Sequence, residues 1–271
     1  MFKRLRYWIY LKILTYPTFL PRIRLFRFGI PLVMKESFFA ESTETEALRF
    51  LHGTGLNLPI PKVFDSFAIQ GCEYTIMTRI PGDTLLNQFI KKTITEEQIS
   101  AVINEVHDVV RKLWTLSPPP EHAGVVMCHP SGHGLPTVLE EMQDLIGPLP
   151  IVDLYVHHTS LIATHRPWTA DGLMLLEPER MGKVLADDKR VYVHCDLRPH
   201  NIMVTDNGKL SGILDWENSG WHARHWQVLV LRTTLGYLNP PPLSKWWSNI
   251  QFEPEVEEAY SAGWSLILRP V

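Results

Sequence analysis

The chain has 271 residues, 45% of them hydrophobic, and a formal charge of -3. That is enough apolar material for a large core, in one domain or two small ones, and the near-neutral balance argues against a general nucleic-acid binder. The only cysteines, Cys72, Cys128 and Cys195, form no metal-type cluster or disulfide framework, which fits a reducing, cytoplasmic location.

Residues 1–30 carry Lys3, Arg4, Arg6, Lys12, Arg22, Arg24 and Arg27 and nothing acidic. Trp8, Ile9, Tyr10 and Leu11 form an apolar patch that Lys12 interrupts. No h-region with a small-residue cleavage site follows, so no signal peptide is read, and no stretch reaches the roughly 18 apolar residues a spanning helix needs. The segment reads as a helix packed on the domain; contact with a membrane or protein partner through residues 1–30 is the alternative. RLFRFG and PLVMKES predict short strands around Gly29, and ESTETEALRFLHG predicts a helix capped by Ser42 or Thr43, with Ala47, Leu48 and Leu51 on its apolar face. The prolines of LNLPIPKVFDSF end it. Phe67-Ala68 and Tyr74 to Met77 predict strands joined through Gln70 and Gly71, completing a strand-rich unit over residues 1–82.

From 83 to 271 helices dominate. Thr95 opens one that runs to about Leu116, with Gln98 completing a capping box and Ile99, Val102, Ile103, Val106, Val110 and Leu113 at helical spacing. Further helices are predicted at 137–146, 151–165, 175–186, 223–234 and 254–267, and a Pro/Gly/His-rich loop over Ser117 to Leu135. The fold class is therefore α+β, a small β-rich lobe joined to a larger helical one, with the cleft between them as the place for a ligand.

The stretch YVHCDLRPHNIMVTDNGKLSGILDW, Tyr192 to Trp216, carries the chemistry. Two hydrophobic runs flank Asp206-Asn207-Gly208-Lys209, and Asn-Gly predicts a two-residue hairpin turn. Asp206 then faces Lys209, Asn201 lies across from Leu214, and His200 across from Asp215. The carboxamide of Asn201 and the carboxylate of Asp215 so emerge at one end, under a loop holding Asp196. Asp215 offers two hard oxygens and Asn201 one, a set suited to Mg²⁺ with phosphate oxygens completing the shell. Asp196 is placed to orient and deprotonate an attacking hydroxyl. His194 is either a packed, hydrogen-bonded ring or part of the catalytic set. Glu217 is an extra ligand, a supporting group or a solvated acid. A hydrolase built on Cys195 and His194, or on His157-His158 or His222 and His225 as metal ligands, finds no ordered triad and no HExxH.

His194-x-Asp196-x-x-x-x-Asn201, followed by Ile213-Leu214-Asp215-Trp216-Glu217, resembles the catalytic and metal segments of the aminoglycoside phosphotransferase family, which shares the protein-kinase-like fold with choline kinases. Gly220 to Trp226 resembles the helix entry of fungal-type members; Thr43 to Phe50, Pro59 to Val63 and Ile76 to Leu85 resemble the family's N-lobe helix, next strand and interlobe linker. The resemblance implies that Asp196 is the catalytic aspartate and that Asn201 and Asp215 hold Mg²⁺. It makes Lys35 the phosphate-contacting lysine and Glu44 its helix partner, with Glu46 as the other register. Met77 to Ile80 would line an adenine slot. A cationic acceptor would meet an acidic pocket, with Glu217, Glu253, Glu257 and Glu258 as candidates, the last three otherwise reading as a solvated helix start. No Gly-rich phosphate loop precedes Lys35, and Trp216-Glu217 stand where protein kinases place glycine. The implied activity is ATP- and Mg²⁺-dependent transfer of the γ-phosphate to a hydroxyl of a small molecule, with no nucleic acid involved. A catalytically idle kinase-like binding protein is the runner-up.

Overall fold

The computed structural model describes residues 2–18, 20, 22–37, 43–136, 145–155, 178–233 and 241–268. The N-terminal lobe is a five-stranded antiparallel sheet, β1 (Thr15–Pro17), β2 (Ile23–Phe26), β3 (Leu32–Ser37), β4 (Val63–Ile69) and β5 (Cys72–Thr78), in the order β1-β2-β3-β5-β4. β4 turns into β5 through Gln70 and Gly71, both at positive φ, as the sequence predicts. Lys35 sits mid-sheet, paired with Ile23 and Thr75. Helix α2 (Thr43–Gly53) buries Ala47, Leu48 and Leu51. Thr43 is the first residue of α2 and its Oγ1 accepts no hydrogen bond, so it is not the cap; Ser42 lies outside the described residues.

The basic-aromatic start of the chain packs on this sheet. It runs as α1 (Phe2–Trp8) and a π-helical turn (Ile9–Leu14). Tyr7 meets Tyr74 at 5.0 Å between ring centroids, and Tyr10 stacks on Phe67 and meets Phe26 edge-on. Arg6 and the Tyr10 hydroxyl both bind Asp65. The aromatic residues thus cover the sheet face, while Trp8 and Leu5 remain about half exposed.

The chain leaves β5 at Thr78 and joins a second sheet at β6 (Asp83–Thr84), which pairs with β8 (Ile202–Val204), itself paired with β9 (Leu210–Ile213). Thr84 caps the short helix α3 (Leu85–Ile90) by accepting from the Asn87 N–H. α4 (Glu96–Leu113) has the expected capping box at Thr95 and Gln98 and buries the predicted stripe together with Val109. It ends three residues before the predicted Leu116: Thr115 and Leu116 bond back to Lys112 and Leu113, a tightened exit ahead of the Pro118 to Pro120 run. The loop that follows is tied into the lobe by bridges from Val126 to Leu149, Cys128 to Trp221 and Leu135 to Ile146. Ile146 is therefore in a bridge and not in the predicted 137–146 helix, of which 137–144 lie outside the described residues. Residues 151–155 are helical, and the rest of the 151–165 expectation also lies outside them.

β7 (Arg190–Val193) pairs with β10 (Gly220–Ala223), and α6 (Arg224–Arg232) packs on β7, α7 (Pro241–Trp247) on α6, and α8 (Pro254–Leu268) on α6 and α5 (Pro178–Asp187). The main core runs from Ala47 and Leu48 through Val102, Val106 and Tyr192 to Trp216 and Trp247, so one apolar body joins the two lobes behind the cleft. Among the described residues no helix is long and apolar enough to cross a membrane.

Candidate active site

The hairpin fixes the site. Ile202 pairs with Ile213 and Met203 with Gly212, and Leu214 N–H donates to Asn201 O at 2.8 Å, so the predicted register holds at the base. The tip differs. Val204 pairs with Leu210, Ser211 is bulged out, and Thr205 N–H reaches Lys209 O at 2.9 Å across a three-residue loop. Only Gly208 takes positive φ there, +71°, which is the glycine-closed three-residue loop and not a two-residue turn. Asp206 therefore does not face Lys209; the extra loop residue and the bulge cancel, and the base register survives.

Asp215 follows β9 by two residues at φ +65°, a left-handed conformation that aspartate adopts, and its Oδ1 meets Lys35. Cys195, beside Asp196, is also left-handed at φ +60°. Two strained residues thus aim the two aspartates. Asn201 donates from Nδ2 to Asp196 O at 2.8 Å and to Asp196 Oδ2 at 3.1 Å, which ties down its nitrogen and leaves Oδ1 as the group it presents. The other oxygen of Asp196, Oδ1, is buried and accepts no hydrogen bond, though Arg198 Nε stands 3.2 Å away as an ion pair. Burial pushes the Asp196 carboxyl up to about 7; Arg198 opposes this and the charge of Asp215 adds to it.

Lys35 is the hub on the other side. Its Nζ lies 2.6 Å from Asp215 Oδ1, 2.9 Å from Glu44 Oε2 and 3.1 Å from Glu217 Oε2. Burial works against its charge, but the three carboxylates more than reverse this and hold it firmly protonated. Glu44, on the first turn of α2, also accepts from Trp216 N–H at 3.2 Å, which joins that helix to the residue after Asp215. Glu46 does not meet Lys35, so the register with Glu44 is the right one. Glu217 is a member of the cluster and not a solvated acid, and burial pushes its carboxyl up to about 7. Three carboxylates around one ammonium leave negative charge in excess, and their oxygens can close on a cation. The hard oxygens of Asp215 and the Oδ1 that Asn201 presents are donors of the kind a magnesium–phosphate group takes.

His194 sits behind the site. Its Nδ1 accepts from Asp196 N–H at 3.3 Å, so its Nε2 donates to Leu214 O at 2.9 Å. Burial lowers its pKa to about 4, which keeps the ring neutral. Met77 is buried in the core that joins the lobes, and Ile80 packs over Gly212 of the hairpin, where an added Cβ would lie 2.8 Å from its side chain. Along that linker Thr78 N–H is already bonded to Lys62 O and Arg79 N–H to Pro31 O. Of the expected acidic pocket, Glu257 is committed elsewhere, to a two-pronged bond with Arg232 at 2.7 and 2.8 Å. Arg198 was not singled out in the sequence; only the fold shows it 3.2 Å from Asp196.

The model of a phosphotransferase enzyme family matches residues 40–264. No curated protein sequence matches the chain. Among solved structures, the gentamicin complex of APH(2")-IIa is 18% identical, with 98% of this chain and 87% of that one covered at a TM-score of 0.58. The GDP complex of wild-type aminoglycoside 2'-phosphotransferase-IIIa is 13% identical, covering 95% and 80% at a TM-score of 0.59. A macrolide 2'-phosphotransferase type I is 13% identical, covering 98% and 88% at 0.52. At these identities the likeness is one of fold.

Proposed function

We propose that this chain, which belongs to the phosphotransferase enzyme family, transfers the γ-phosphate of ATP, held with Mg²⁺, to a hydroxyl group of a small molecule. The observation that carries the reading is the convergence of Asp196, Asn201, Asp215 and Lys35 at one end of the hairpin, with Asp196 Oδ1 buried and accepting no hydrogen bond.

Asp215 and the Oδ1 of Asn201 would hold the metal, and Lys35, now paired with Asp215, would neutralise a phosphate oxygen. The magnesium ion supplies charge neutralisation for the β- and γ-phosphate oxygens. Glu44 keeps Lys35 on station and, through Trp216 N–H, keeps the Asp215 turn in register with α2. Asp196 Oδ1 accepts a hydrogen bond from the acceptor hydroxyl. As that oxygen bonds to the γ-phosphorus, the bond to the β,γ-bridging oxygen breaks and the proton passes to Asp196. The products are a phosphate monoester and ADP. His194 is a positioning residue, because both ring nitrogens are spent on main-chain groups of the two metal-site segments. Met77 and Ile80 wall the purine slot. Trp216 and Glu217 take the place of a kinase-type glycine, which supports a small-molecule acceptor.

Calorimetry with and without Mg²⁺, using ATP and GTP in parallel, tests the site. Asp215→Asn should abolish the magnesium-dependent part of ATP binding, while Asp196→Ala should bind ATP as wild type does. Folded wild-type protein that binds neither nucleotide in a magnesium-dependent way would sink the reading.

A further inference from the structure

Helix α2 carries a second acid with a different outlook. Glu46 lies two residues beyond Glu44, roughly 200° further round the helix, and faces away from Lys35. What it faces is a pair of histidines from the segment after α4. His129 is fully buried, and its Nε2 stands 3.0 Å from Thr43 O. His133 places its Nδ1 2.8 Å from Gly134 O. A carbonyl oxygen only accepts, so in each neutral ring that nitrogen carries the proton. The other nitrogens, Nδ1 of His129 and Nε2 of His133, therefore carry lone pairs. They lie 3.8 and 3.9 Å from the same oxygen, Oε2 of Glu46. The rings stack in parallel, 4.3 Å between centroids and 4° between planes. Two imidazole nitrogens and a carboxylate oxygen thus converge on one point, all within 4.8 Å of one another.

We propose that Glu46, His129 and His133 form a site for a divalent transition cation of the zinc class, clamping α2 to the segment 128–135. Imidazole nitrogen with one carboxylate is a donor set that zinc takes. Each ring donates its far N–H to a main-chain carbonyl, the arrangement that orients metal-bound histidines. The three ligand atoms lie within 4.8 Å of one another. Bonds of about 2.0–2.1 Å bring tetrahedral ligands to roughly 3.4 Å apart, and Glu46, 44% exposed, is the side chain free to close that distance. Nδ1 of His129 accepts from the Ser131 hydroxyl at 2.5 Å and from Ser131 N–H at 3.2 Å, and the cation takes the place of the hydroxyl. Because Glu44 shares the helix, an occupied clamp fixes the element that holds Lys35.

The test uses the full chain with tags removed, zinc competed against a chromophoric chelator, and Co²⁺ as a visible-absorption probe. Wild type should take up one equivalent per chain. Glu46→Gln, at a side chain 44% exposed, and His133→Gln should each lower affinity by more than about 100-fold, beyond the 10–100-fold typical of groups behind a ligand. Cys72→Ser should leave affinity unchanged, and amide exchange along α2 should slow when zinc is added. The proposal is overturned by folded wild type that binds no stoichiometric zinc, by affinity that survives both Glu46→Gln and His133→Gln, or by loss of binding in Cys72→Ser. None of these readouts depends on phosphotransfer.

Discussion

Asp188 and Asp196 lie eight residues apart, on either side of β7, and both are buried. Asp188 Oδ1 receives Arg224 Nε at 2.8 Å, and Oδ2 receives His225 N–H at 2.9 Å and His225 Nδ1 at 2.8 Å. The far side of that ring, Nε2, meets the Tyr155 hydroxyl at 2.6 Å. Burial pushes the Asp188 carboxyl up, but the bonds from His225 and the Arg224 charge win and hold it below the usual range. Asp196 has one oxygen that accepts no hydrogen bond and like charges nearby, and its carboxyl sits near 7. A buried acid whose lone pairs are filled holds structure together. A buried acid kept short of partners stores the capacity to accept a proton.

The sharpest way to break this contrast is Asp196→Ala, for which turnover should fall by about 10²–10⁴ while the thermal midpoint stays near that of wild type. Unchanged turnover with a competent acceptor would remove Asp196 from the chemistry. Asp188→Ala should do the reverse. It removes the partner of Arg224 Nε and of His225 N–H and Nδ1, so unfolding in urea should show a loss of about 3–5 kcal/mol, with activity per folded molecule retained. A pH series sharpens the comparison further. The base form of Asp196 is lost as pH falls through about 7, so kcat/KM should drop about tenfold per unit below that point, the apparent value belonging to Asp196 and Glu217 together. The Asp188 contribution is also lost as pH falls, but in a lower window. A carboxyl held low in the fold stabilises above the ordinary carboxylate range and loses that share only in acid. The stability gap between wild type and Asp188→Asn should therefore stay constant from pH 8 to 5. The smallest effect expected is at a site outside both networks: Thr95→Ala removes the α4 cap bond to Gln98 N–H and should cost about 1 kcal/mol with no change in kcat.

What the sequence made legible follows the range of the interaction. The α4 stripe and its cap are local, and they appear as read. The base of the hairpin was legible because strand alternation sets it, whereas the tip was not, because Asn-Gly serves two turn geometries and the Ser211 bulge has no sequence mark. α3 was missed although Thr84 stands three residues before Asn87, a cap signal present in the chain. Glu217 and Arg198 acquire their neighbours only through the fold: Glu217 meets a lysine 182 positions away, and Arg198 reaches back across a tight loop. Glu257 is the converse case, read as a pocket acid and found bound to Arg232 on a different helix. The N-terminal aromatics read as surface-seeking or packed, and the long-range Tyr10, Phe67 and Asp65 contacts show them packed.

The crossing between the lobes has a mechanical consequence. Gly82, at φ +101°, lies so close to β8 that a Cβ there would stand 2.2 Å from Val204 O, and the next two residues are already annealed to that strand. On the other side the chain is in the N-terminal sheet as far as Thr78. The length between the two sheets is thus Arg79 to Pro81, held by Arg79 N–H on Pro31 O and Ser211 Oγ on Pro81 O, and too short to let them slide apart. Any opening between the two sheets must be a rotation about that point, a lever whose fulcrum is residues 79–81 and whose stroke grows with distance from it.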